Sequence, residues 1–327
     1  MNLTSFYITV LSLFFIMAVG FVARKAKIIN DSASKGLSAV VIKIGQPFMI
    51  IGAMLNVEYS SENLKYGLFV LLAGLLLHTV FAVIAHFAVL KYKNADEKKI
   101  SEFAIIFSNC GFIGFPLIQS FLGDKGLFFA TFYIISFNIF IWTWGMVVLG
   151  KGRDDIKINP RSMILNYGTL PSIIGIILYL CRASELFAKI DILSFIPTAS
   201  SYLGSLCTPI SMLITGALLA TVTSKELFLN PRSYYNCAVK LVLIPIIVTF
   251  LAWACGLNYF FIVFFVIVSA MPTASSTVMY GELYEISKKN AAIITGLSSL
   301  ISMLTLPILA TVLNSLFTVS GTLSIFR

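Results

Sequence analysis

Two short segments concentrate the residues best suited to holding a small polar ligand. The first reads Ile105-Ile106-Phe107-Ser108-Asn109-Cys110-Gly111-Phe112-Ile113-Gly114-Phe115-Pro116, the second Val268-Ser269-Ala270-Met271-Pro272-Thr273-Ala274-Ser275-Ser276-Thr277. Both lie inside long apolar runs, where glycine and proline make a continuous helix costly. Proline lacks an N–H and suits the first turn of a helix, so Pro116 and Pro272 are each expected to begin the second half of a broken helix. The N–H groups at such starts have no partner within the helix and sit at the positive end of its dipole. Two of them meeting form an anion site. The candidate binding residues are therefore Ser108, Asn109, Gly111, Gly114, Pro116, Met271, Pro272, Thr273, Ser275 and Ser276. Their side chains bring hydroxyls and an amide but no negative charge.

No aspartate or glutamate lies near either break, where a cation antiporter would need one. That absence favours a carboxylate-bearing substrate over a bare cation. Lys240 stands inside another apolar run, where a lysine costs roughly 2.5–3.5 kcal/mol, so it either faces a polar cavity or snorkels to the surface. Lys43 is also inside an apolar run, with snorkelling or cross-helix pairing expected. Gln46, Thr208 and Ser211 lie beside prolines and are candidates to line a cavity.

Enzyme chemistry finds little support. There is no HExxH and no Walker A loop, and the two histidines come with no carboxylate cluster. The five cysteines, Cys110, Cys181, Cys207, Cys237 and Cys255, form no metal-binding pair and no disulfide framework. They read as small packing residues. Neither a metal nor a cofactor is expected, and the protein reads as a non-enzyme.

The elements that must position these residues are membrane helices. The chain has 327 residues, 58% hydrophobic and 11% charged, against roughly 25% charged in a soluble domain. Apolar runs predict spans near 4–23, 36–55, 66–90, 100–122, 126–149, 162–181, 199–221, 234–255, 259–283 and 291–318. The part of span 4 from Ile100 to Asn109 is about 15 Å long at ~1.5 Å per residue, half of a membrane core. Of the 23 basic residues, 16 fall in loops after odd-numbered spans and 5 on the other side. The positive-inside rule then places the odd loops in the cytoplasm and both termini outside a cell (inner) membrane. The net charge of +9 thus reads as topology, with lipid as the surroundings and no nucleic acid as a partner.

An internal repeat follows. Pro209 stands 162 residues after Pro47, and Gly216-Ala217-Leu218-Leu219 stands 164 residues after Gly52-Ala53-Met54-Leu55. Five spans per half is an odd number, so the second half enters the membrane from the opposite side, as in inverted-repeat transporters. The predicted architecture is all-α and polytopic: ten transmembrane helices as two five-helix inverted repeats, 1–150 and 162–327, joined by a short cytoplasmic linker, 151–161. The 162-residue shift sets His78 at the position matching Lys240, a pair expected to flank the site, with His78 able to titrate near neutral pH.

At Ser108 to Pro116, at Ala270-Met271-Pro272-Thr273-Ala274 and at Ser302-Met303-Leu304-Thr305-Leu306-Pro307 the chain resembles the auxin efflux carrier family, and in its short linker the bacterial malate-permease-like members. The resemblance implies that helices 4 and 9 cross at their breaks, with spans 1, 2, 6 and 7 as a scaffold and spans 3–5 and 8–10 as a moving transport domain. It implies an elevator-type mechanism for small organic anions, such as malate or auxin-like acids, with Asn109 on the substrate carboxylate and Lys240 supporting the site. A homodimer through the scaffold helices would be its assembly. The competing readings are a sodium-coupled symporter of bile-acid-transporter type and a membrane ligand sensor that does not transport.

Overall fold

The computed structural model describes residues 3–153, 161 and 165–319, and these are helical almost throughout. Among the described residues, seven helices are long and apolar enough to cross a membrane: α1 (Leu3–Lys25), α2 (Asp31–Leu55), α3 (Ser61–Ala88), α5 (Gly114–Gly150), α8 (Ile192–Leu219), α10 (Pro231–Ala254) and the long helix α13 (Lys288–Val319). The described residues also form shorter helices: α4 (Ala95–Ile106), α6 (Thr169–Leu180), α7 (Ala183–Lys189), α9 (Ser224–Phe228), α11 (Tyr259–Ala270) and α12 (Ser276–Leu283).

Local chemistry sets many of the ends. Asparagine side chains at Asn30, Asn94, Asn230 and Asn258 accept backbone N–H groups at the starts of α2, α4, α10 and α11. Asn166 does the same ahead of α6, accepting from Gly168 and Thr169. This cap explains why α6 begins at Thr169 rather than near 162 as the apolar run predicts; residues 162–164 and most of the predicted linker (154–160) lie outside the described residues. The predicted boundary between spans 4 and 5 falls where the backbone leaves helical geometry: span 4 is interrupted between Ile106 and Gly114, and the stretch from Gly114 to Gly150 is two helices meeting at a kink at Gly123 (φ 69°, ψ −165°). Glycine takes that positive φ without a Cβ penalty.

Prolines shape two helices in a related way. Pro47 and Pro245 cannot donate to the carbonyl four residues back. Just before each, the chain opens a π-turn, Val41–Gly45 and Val239–Leu243, in which Gln46 N donates to Val41 O and Ile244 N to Val239 O. Lys43 and Lys240 sit in these two turns.

The apolar surface points outward, as it must in lipid. On α3, Leu68, Leu72, Leu76, Val83 and Phe87 are exposed, while Val70, Leu77, Phe81 and Ala85 on the other face are buried. Five large residues of α10, from Val242 to Trp253, are likewise exposed. A soluble chain would not leave this much apolar area in water.

The chain divides into two compact units. One comprises residues 1–15, 79–122 and 218–327; the other comprises 16–78 and 123–217. In the second, α2 packs against α6 and α8, and α1 meets α8 through glycines. A Cβ on Gly216 would lie 1.8 Å from Met17 O, and one on Gly20 would lie 2.1 Å from Leu213 O. Such small-residue contacts let helix backbones touch in a membrane. The first unit contains both broken segments.

Candidate functional site

The two breaks hydrogen-bond to each other. After Ile106 the backbone turns extended (Phe107, φ −93°, ψ 114°), and after Ala270 it does so at Met271 (φ −60°, ψ 146°). The residue before a proline avoids helical geometry, so Pro272 ends α11. The extended strips then pair antiparallel as a single bridge between Ser108 and Thr273. Asn109 N donates to Pro272 O at 2.7 Å, and Ala274 N donates to Phe107 O at 2.9 Å. Pro272 therefore does not begin the second half-helix, as the sequence predicts; α12 starts at Ser276, and Pro272 contributes a carbonyl to the bridge. Pro116 does lie in the first turn of α5.

Each of the last four carbonyls of α4 has a donor. Phe107 N takes Phe103 O, Thr273 Oγ1 takes Ala104 O, and Lys240 Nζ takes Ile105 O and Ile106 O. A helix end buried in a membrane needs such partners for its orphan carbonyls. The third Lys240 donor goes to Ser108 Oγ at 2.7 Å, and the ammonium lies 5.7 Å from the centre of the Phe81 ring. Three acceptors match the three donors of an ammonium, and the negative end of the α4 dipole favours the charge. Lys240 is 0% exposed, so it does not snorkel. Lys43, by contrast, is exposed.

Asn109 is 4% exposed and already engaged. Its Oδ1 accepts from Phe112 N and its Nδ2 donates to Ser275 Oγ, both at 3.3 Å. An amide nitrogen has two hydrogens, so one remains to face a bound group. Gly114 N bonds Asn109 O and Phe115 N bonds Gly111 O. The start of α5 is thus partly satisfied by its own turn, which weakens the predicted picture of a wholly open helix end. A side chain at Gly114 would meet only ordinary contacts, the nearest at 3.5 Å from Asn109 O. Beside the crossing, the buried hydroxyls of Ser276, Thr277 and Thr295 have no hydrogen-bond partner among the described residues.

Other predicted residues have their own surroundings. His78 Nδ1 lies 2.7 Å from Gly74 O, and its ring packs among Tyr133, Phe137 and Phe140. Ser211 is buried and donates to Cys207 O, while Gln46 and Thr208 are half-buried. Cys110, Cys207 and Cys237 are buried as packing residues, but Cys181 and Cys255, at the ends of α6 and α10, are exposed. Ser298 escaped the sequence reading: on α13, it accepts the Thr273 N–H at 3.1 Å. Its position inside an ordinary apolar run gave no signal.

A helical membrane protein with two mutually bonded helix breaks and a buried ammonium beneath them has the features of a membrane transporter. The profile of a family described as "Membrane transport protein" matches residues 5–310, and the chain belongs to this family, that of the auxin efflux carriers. It is a multi-pass membrane protein. A curated relative, the uncharacterized transporter MJ1031 of Methanocaldococcus jannaschii, is 24% identical over 287 residues, covering 86% of this chain and 90% of that protein.

Proposed function

We propose that this protein is a secondary transporter of small organic anions, carboxylates such as malate or auxin-like acids, bound where the two breaks meet. The observation that supports this reading most is the pairing of a buried ammonium, Lys240, with crossing segments that contain hydroxyls and an amide but no carboxylate. An anion there gains the remaining Asn109 N–H, the Ser275 and Ser276 hydroxyls and the field of Lys240. Ten spans as two inverted repeats would place such a site at the membrane midplane. An elevator displacement of spans 3–5 and 8–10 against spans 1, 2, 6 and 7 would carry it across a cell membrane with both termini outside, in a homodimer built through the scaffold helices.

A thermal-shift screen of small carboxylates against wild type and Asn109→Ala tests the site. Malate is expected to stabilise the wild type and to lose at least tenfold in affinity in the variant; equal binding by both removes Asn109. The three unpartnered hydroxyls favour one second reading, a sodium-coupled symporter. Uptake of malate that rises with external sodium at fixed membrane potential would select it.

A further inference from the structure

Helices α4 and α10 run side by side and are joined at each turn. Arg232 Nη1 pairs with Glu97 Oε2, Asn236 Nδ2 donates to Ser101 Oγ at 3.1 Å, and Lys240 Nζ donates to Ile105 O at 2.9 Å. Every one of these pairs is separated by 135 residues. Residues 97, 101 and 105 recur at four-residue steps on α4, and 232, 236 and 240 do so on α10, so the pairs form a ladder along one face of two parallel helices. Its lowest rung is a surface ion pair and its top rung reaches the crossing.

The middle rung is oriented from below. Tyr92 OH donates to Asn236 Oδ1 at 2.9 Å, which leaves Nδ2 to donate to Ser101. The Arg232 guanidinium stacks 5.4 Å from the Tyr92 ring centre. Burial and Glu97 push the Tyr92 hydroxyl up to about 12, so it stays a donor. Asn236 is 1% exposed and Ser101 0%. A slip of one residue between the helices would leave both unsatisfied in an apolar interior.

We propose that Asn236, seated on Tyr92, is a positioning residue that fixes the register of α10 on α4 and thereby sets the Lys240 ammonium against Ser108. This rests on the reading that the crossing binds the anion. The test exchanges the rung. Asn236→Ser removes it, and adding Ser101→Asn restores it in reverse at the same total volume.

The first readout needs no ligand. Cysteines at Glu97→Cys and Arg232→Cys, in a Cys181→Ser/Cys255→Ser background, are cross-linked with a short bis-maleimide in membranes. Yield is expected to fall at least threefold with Asn236→Ser and to recover in the exchanged pair; an unchanged yield overturns the proposal. The second readout is malate counterflow in proteoliposomes. Asn236→Ser is expected to raise KM at least fivefold with a maximal rate within twofold, and the exchange to restore it. A lower melting temperature and rate with unchanged KM would mark Asn236 as merely structural and overturn the proposal. A wild type that neither binds nor carries malate defeats the proposed function, while the cross-linking still decides the positioning.

Discussion

Replacing Lys240 with methionine separates stability from binding. The variant leaves the Ile105 and Ile106 carbonyls and the Ser108 hydroxyl without their donor, at about 1–3 kcal/mol for each unsatisfied group. It also removes the roughly 2.5–3.5 kcal/mol cost of a lysine in the membrane, so of a gross loss of about 3–9 kcal/mol about 0–6 kcal/mol remains. Binding has no such offset. Nζ is 2.7 Å from Ser108 Oγ, and with neighbouring Cα atoms about 3.8 Å apart a carboxylate held at Asn109 is taken to lie roughly 7 Å from the charge. At an effective dielectric of about 20 the lost attraction is about 2.4 kcal/mol, on the order of 50-fold in affinity. Malate dissociation constants for wild type, Lys240→Arg and Lys240→Met, measured by calorimetry alongside melting temperatures, check the argument. Lys240→Arg should keep most of the affinity, and a folded Lys240→Met that binds malate within twofold of wild type refutes it.

Other predictions address the frame around the site. Gly216→Ala drives a methyl into Met17 O and should cost about 1–3 kcal/mol by overpacking, read as a lower melting temperature. Gly36→Ala, with nothing within 4 Å, should be neutral or stabilise α2 by up to about 1 kcal/mol. Ser298→Ala orphans the buried Thr273 N–H and should cost about 1–3 kcal/mol, with Ser298→Thr partly restoring it. In the folded state the Tyr92 hydroxyl is raised from 10.0 to about 12, so its contribution is fully present below pH 10 and is lost as pH climbs through 12. Melting temperature should therefore fall less steeply over that window in Tyr92→Phe than in wild type.

The breaks were legible in the sequence because glycine and proline act on the local backbone. Lys240 was legible because a charge in an apolar run demands a partner. What the sequence left open was the identity of that partner: helix-end carbonyls have no side-chain signature, so their capture by Lys240 and Thr273 appears only in three dimensions. Pro272 was misread because proline serves equally at a helix start and in an extended strip, and only the pairing with Asn109 decides between them. The ladder was not read from the sequence, since its top rung uses the backbone carbonyl of Ile105 and nothing in one sequence matches residue 97 with 232. The start of α6 was missed because apolar composition runs through a segment that Asn166 caps later.

The π-turn at Val239–Leu243 has a genetic consequence. It holds one residue more than an α-turn, so deleting a single codon there returns the helix to regular winding while the turns on either side keep their faces; a codon deleted elsewhere in α10 instead turns one side by about 100° relative to the other. In that second case the ladder face and the lipid face of α10 would no longer belong to their present neighbours. A deletion scan along α10 should find 239–243, Lys240 apart, more tolerant than the regular turns that flank it.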